Sequence, residues 1–482
     1  MKVRGVLLSA VLLAVAVAAP VDAHLRTGGA WGGVKTTPVE LLSGTAAAGS
    51  ASGLAVVGTN SIGGRGFNAD VWVHERYAYV GSWGFSDWNT GGDQRFCPED
   101  ANNGVAVIDA RDPAVPSEVS RLRNPSGTSA EDVVVYTAAY GPRAGRDIAV
   151  AGIQVCGGPR TDTSFFRGLQ VWDVTNPARP VELARLDTGC CTRGLHELEI
   201  QHRPDLRKTF VYASVPTSEV ADSGSPSGRR DRAGRGDFRL IDITNPSAPA
   251  EVSNWGVWHD LGGPPAAGLG CDPDAEYGHS VEPSADGRRA FVSYWDSGFI
   301  ELDVSNPAKP VYRTRAAFGP TADGDGHSSN FDEGRNLLFS ADEDFGKACG
   351  SSTEKGFGYL RVWDWTAPGG PRQVGSYKTP NSSGAKDVNA GDYTIHNPLL
   401  VGNEIYASWY TDGIRIIDVA DPANPRETAF FVPPSENNPV KPSQRGTLTN
   451  AVQVWGVAHD PVTGLIYASD MNSGLWILRR TG

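Results

Sequence analysis

Short runs of β-branched and aromatic residues alternate with turn-forming residues along nearly the whole chain, and apolar spacing of three and four never persists. That pattern predicts strands and excludes long helices. One segment also recurs. It first reads Gly104-Val-Ala-Val-Ile-Asp109-Ala-Arg-Asp-Pro113, returns at 168–180, 238–249, 298–310 and 413–425, diverges at 359–368 and is truncated at 474–478. In each copy a strand runs into Asp-x-[Thr/Ser]-Asn-Pro, where Asp and Asn side chains hold a turn and proline ends the strand. Another strand follows, as in 181–186 or 311–315. Upstream lie further strands at 77–80, 148–151, 210–213, 290–293, 337–340, 405–408 and 466–469, and inner strands such as 70–73 or 131–135 before them. Seven copies of four antiparallel strands predict an all-β fold, a seven-bladed β-propeller.

The chain ends sharpen this expectation. The seventh copy stops after its third strand, so its blade needs a fourth from elsewhere. Residues 54–58, an apolar run before the first inner strand, are expected to donate it and close the ring. The repeats resemble the LVIVD-repeat family, whose signature is Gly-x-x-[Ile/Val]-x-Asp-[Val/Ile]-[Ser/Thr]-[Asn/Asp]-Pro-x-x-Pro. The resemblance covers residues 54–482. The fifth copy departs from it at Trp365 and Ala367. The resemblance implies a secreted seven-bladed propeller and no defined activity.

Composition narrows the setting. At 482 residues the chain exceeds what one hydrophobic core holds, so repetition is the natural way to grow. A net charge of −12, without basic runs, argues against nucleic acid and anionic membranes as partners. Lys2 and Arg4 precede an apolar run that ends before Val21-Asp22-Ala23, which reads as a signal peptide (1–23) cleaved near Ala23. The mature protein is then secreted, without membrane insertion, and monomeric. An irregular leader is expected at 24–53 and the propeller at 54–482. In an exported chain Cys97, Cys156, Cys190, Cys191, Cys271 and Cys349 read as disulfide partners. Cys97–Cys156 is the expected pair, because both lie in equivalent loops of adjacent blades, and the other four should pair among themselves.

Long insertions at 83–103, 155–167, 216–237, 341–357 and 432–451 all fall on one predicted face, which is how a binding face is built. Trp83, Trp88, Trp255, Trp258, Trp295 and Trp409 lie near it, either to stack on ligands or to pack between sheets. Arg235-Gly-Asp237 matches an integrin-type tripeptide within a low-complexity loop, where chance explains it. A sharper constellation appears at the starts of the inner strands, which read Ala69, Glu131, His196, His279, His327, His396 and Trp455. Four imidazoles at one level of a propeller axis are suited to a divalent metal: iron, copper, zinc or nickel. The arc of Trp455, Ala69 and Glu131 is expected to leave one side open. Glu131, Glu197, Glu199 and Trp455 are additional channel-mouth candidates. Asp272, Asp274, Glu276, Asp323, Asp325, Asp387 and Asp392 supply further nearby carboxylates. A four-histidine centre in a seven-bladed propeller is geometrically similar to that of carotenoid oxygenases, although no motif of theirs occurs here. The bland reading is that these histidines bond interblade backbone or line a wet channel.

Two functions follow. The first is a non-catalytic binding module that presents its loop-rich face to an extracellular protein, carbohydrate or small molecule. The alternative is a metal-dependent enzyme, a non-haem iron or similar oxidoreductase or hydrolase, using His196, His279, His327 and His396.

Overall fold

The computed structural model describes residues 49–86, 95–99, 101–158, 162–190, 192–216, 229–230, 235–265, 267–271, 275–322, 324–345, 357–385, 392–434 and 452–481. The signal segment, most of the leader and the greater part of the long insertions lie outside these residues. So do Trp88, Cys191, Cys349, Asp272, Asp274, Asp323 and Asp387. Regular structure among the described residues is overwhelmingly strand, and no helix among them is long and apolar enough to cross a membrane.

The strands form four-stranded antiparallel meanders along the chain. Their first strands are β1 (Asn68–His74), β2 (Thr128–Thr137), β3 (Leu198–Arg203), β4 (Ser280–Pro283), β5 (Gly326–Asp332), β6 (Pro398–Val401) and β7 (Val454–His459). Each of these strands contacts the next, and β7 contacts β1. The meanders begun by β1 and β2 also share a bridge, Ser82 to Ala130, which joins them into one eight-stranded sheet. As expected, Leu54–Asn60 pairs antiparallel with Gly474–Arg480 and supplies the fourth strand of the last meander. The leader is not wholly irregular: Ser50–Ser52 pairs with Arg426–Val432 as a fifth strand on the sheet of β6.

The repeat residues do what their chemistry requires. Asp173, Asp242, Asp303, Asp364 and Asp418 each accept the N–H two residues ahead, at 2.8–3.1 Å, making the turn after the third strand. Register shifts recur at one place between third and fourth strands, at Val107/Ile108, Val171/Trp172, Leu240/Ile241, Glu301/Leu302, Val362/Trp363 and Ile416/Ile417. A bulge there adds twist to each sheet.

Period-two alternation gives every third strand two apolar faces. Val105 and Val107 pack toward the sheet of β2, with Val133 and Val135. Ala106 and Ile108 face the other way, onto Tyr467, Leu475 and Ile477 of the last sheet. Stacked sheets of this kind bury their apolar faces only against neighbours. Cys97 and Cys156 are disulfide-bonded, their Cα atoms 5.1 Å apart. Cys190 and Cys271 are also in disulfides.

Candidate metal centre

Three of the four histidines are placed by a shared device. The N–H groups of His196, His279 and His396 donate to the carbonyls of Ser214, Ser293 and Ser408, the serines that close the second strands. His327 sits instead at a register shift between Gly326 and Ser328, a bulge that turns its side chain onto the same level. Adjacent ring centroids are 4.3, 4.0 and 4.6 Å apart from His196 through His279 and His327 to His396. None is more than 1% exposed.

Each ring presents one nitrogen to an acceptor. His196 Nδ1 lies 2.9 Å from Glu131 Oε2, and His279 Nδ1 lies 3.4 Å from Glu197 Oε1. His327 Nδ1 is 3.0 Å from Ser328 Oγ, whose own proton goes to the His396 carbonyl at 2.9 Å, so this oxygen is left to accept. His396 Nδ1 is 2.6 Å from the Trp455 carbonyl. Ser328 Oγ and the Trp455 carbonyl assign the proton to Nδ1 in His327 and His396. Nε2 of His196 and Nε2 of His279 face one another at 2.8 Å. That is an ordinary N–H···N hydrogen-bond distance, with one of the two rings carrying its proton on Nε2.

Electrostatics favour uncharged rings. Burial, and then the neighbouring rings of His327, His196 and His396, hold His279 well below the ordinary histidine value. His396 is lowered by burial against the opposing pull of the Trp455 carbonyl. Neutral imidazole is the ligand form. Buried carboxylates surround the rings. Glu131 receives a hydrogen bond from the Gln154 amide, and Glu343 receives one from the Tyr410 hydroxyl. Glu343 Oε2 lies 3.7 Å from His327 Nε2, and its Oε1 lies 3.9 Å from His396 Nε2. Buried carboxylates of this kind are expected to be paired or to face a metal.

Around the ring the backbone is strained. Trp295, Asp325 and Tyr410 have φ of 33°, 62° and 36°, a region costly for residues with a Cβ, at about 1–3 kcal/mol each. Trp295 and Tyr410 also bridge Gly326 and Val454, tying one sheet to the next beside the histidines.

Two expectations change. The arc from Trp455 through Ala69 is not open: Phe67, Ala69, Trp83, Tyr410, Trp455 and Met471 form one buried apolar cluster there. Trp455 therefore contributes its carbonyl to His396 and its ring to that cluster, where it lies 4.9 Å from the His396 ring. Glu131 and Glu197 stand beside the histidines, but Glu199 does not join them. It lines a cavity of about 1150 Å³ at the other end of the inner strands, with Trp72, Tyr136, Gln201 and His202. Trp83, Trp255, Trp295 and Trp409 are buried, so packing accounts for them. Asp237 of the Arg-Gly-Asp tripeptide is also buried and accepts the Gly278 N–H at 2.9 Å.

Glu343 escaped the sequence reading. It follows the second strand of its sheet (Leu337–Asp342), three residues beyond Ser340, whereas Trp295, Tyr410 and Met471 stand two beyond their own closing serines. That extra residue puts Asp342, not Glu343, at the equivalent position, so superposing the copies does not reveal it. No curated protein matches the chain. The family model of the LVIVD repeat matches at residues 65–85, 233–256 and 280–315, and the chain thus carries LVIVD repeats at three places in its all-β, propeller-like fold.

Proposed function

We propose that residues 54–482 form a closed seven-bladed propeller, exported after removal of residues 1–23, that holds a divalent metal ion on its axis through His196, His279, His327 and His396. The observation supporting this reading is the clustering of four buried imidazoles, in which His196, Glu197 and His279, and likewise His279, His327 and Glu343, place donor atoms within 4.8 Å of one another. Glu131 and Glu197 stand beside His196 and His279, where carboxylates accompany metal-binding histidines. An ion in this position supplies Lewis acidity or redox chemistry, depending on its identity. The chain's own residues orient the donors, exclude water through the Phe67–Trp83–Trp455 cluster and balance the charge with buried carboxylates.

The test is elemental analysis of the purified exported protein and of His279→Ala. A single transition-metal ion per chain in the wild type, and none in the folded variant, is the expected result. A wild-type protein without metal, both as purified and after incubation with iron, copper, zinc and nickel salts, would overturn the reading and leave the non-catalytic binding module in its place.

A further inference from the structure

We infer that the cavity at the far end of the inner strands is a binding site for a neutral oligosaccharide, separate from the axial histidines. None of those four histidines lines it, nor do Glu131, Glu197 and Glu343, so the inference stands whether or not a metal is bound. The cavity is built where β1, β2 and β3 end, together with two turns of the repeat. Arg111 comes from the turn after Asp109, and Thr175 and Pro177 from the turn after Asp173. Its volume of about 1150 Å³ exceeds the roughly 300–1,000 Å³ of most small-molecule pockets, which suits a ligand of more than one ring.

The wall is aromatic and apolar, with isolated polar atoms. The His202 ring makes T-shaped contacts with Tyr136 and Tyr140, its centroid 5.7 and 5.9 Å from theirs, and Val134, Val135 and Ile200 add apolar surface. Trp72 Nε1 and the Tyr136 hydroxyl belong to lining residues and are buried without a hydrogen-bond partner among the described residues. Buried polar atoms are nearly always paired, so two such atoms beside one cavity point to a ligand with hydroxyls to offer. Charge argues for a neutral one. Asp147 is engaged by His74 Nε2 at 3.0 Å and by the Thr137 hydroxyl at 2.7 Å. Arg111 is paired with Asp109 and lies over the Tyr77 ring. Asp460 accepts from the Val462 N–H at 2.9 Å and from the Thr463 hydroxyl at 2.6 Å. Glu199 is buried and already partnered, and Glu75 and Arg76 stand side by side with opposite signs. No single sign of charge therefore dominates the lining. A pyranose ring matches such a wall, because it has a C–H face for aromatic surface and an edge of hydroxyls that both donate and accept.

Isothermal titration calorimetry of the full-length mature protein tests the site. The probes are cellotriose, maltotriose, laminaritriose, mannotriose, xylotriose and chitotriose, with trigalacturonic acid as the acidic counterpart. At least one neutral trisaccharide is expected to bind with a Kd between about 1 μM and 1 mM, and the acidic one is not. Tyr136→Phe removes a single oxygen and should weaken that binding about 3–10-fold, the scale of one hydrogen bond. Tyr140→Ala takes away a ring of the wall and should weaken it about 10–30-fold. No binding of any neutral probe up to about 10 mM would overturn the inference, as would binding of the acidic probe alone. Binding that neither substitution changes would place the sugar outside this cavity and overturn it equally. If Tyr140→Ala does not fold, Tyr136→Phe still decides whether the cavity holds the sugar.

Discussion

The same position in the fold carries opposite chemistry in two arcs of the molecule. From β3 to β6 the inner strands begin with His196, His279, His327 and His396, packed among buried carboxylates. From β7 to β1 the equivalent level is Trp455 and Ala69, sealed by Phe67, Trp83 and Met471. The backbone repeat is shared, so the difference lies in side chains alone. One arc does the work of a core. The other holds titratable groups in a dry place at a cost in stability, which is what functional sites commonly do.

Removing the joint of the apolar arc should have the largest effect. Deleting residues through Asn60 strips the last sheet of its fourth strand and should abolish cooperative unfolding, followed by circular dichroism on heating. An unchanged melting curve would mean the joint is dispensable. Next, Trp83→Ala should cost about 3–5 kcal/mol in denaturant titrations, as large-to-small changes in packed cores do. His279→Ala in metal-free protein should change stability by less than about 1 kcal/mol, because it relieves as much unfavourable burial as it removes packing. Equal losses at the two positions would erase the contrast between the arcs.

Acidity sharpens the same comparison. A histidine held below its unfolded value of about 6.5 leaves the native state binding fewer protons than the unfolded one. Metal-free stability then falls as pH drops below about 6.5, by about 1.4 kcal/mol per pH unit for each such histidine until it titrates in the folded protein. Asp392 works in the other direction. Burial raises its carboxyl to about 7, so its contribution is lost as pH rises from its unfolded value toward 7. The useful measurement is therefore the difference between wild type and His279→Ala across pH 4–7, where a flat difference would refute a neutral His279. A separate local effect should come from the turns: Asp303→Ala loses the bond to the Ser305 N–H and about 1 kcal/mol, while Asp303→Asn retains it. Equal melting temperatures for the two variants would show that the turn bond contributes nothing.

Much of this was legible in the sequence because repetition lets one copy interpret another. The strands, the closing segment, the Cys97–Cys156 pair and the four aligned histidines all follow from superposing copies. The misreadings arose where proximity in sequence is not proximity in space. Glu199 is three residues from His196, but at about 3.3 Å per residue a strand carries it roughly 10 Å along the axis, to the far cavity. Trp455 was legible as a position but not as a carbonyl acceptor, since backbone groups leave no trace in residue identity. Glu343 was hidden because it comes from a second strand rather than an inner one.

The pairing of Leu54–Asn60 with Gly474–Arg480 has a consequence for the order in which the protein is made. Leu54–Asn60 is synthesised long before its partner and waits, with one hydrogen-bonding edge bare, until Gly474–Arg480 leaves the ribosome. Chain length is a minor part of that difficulty, since the entropy of bringing distant segments together grows only logarithmically. The greater hazard is time, because an unpaired edge is a template for other chains throughout the wait. Pairing of these two strands is thus a late event, and a nascent chain cut short anywhere before residue 474 leaves the Leu54–Asn60 edge without its partner strand.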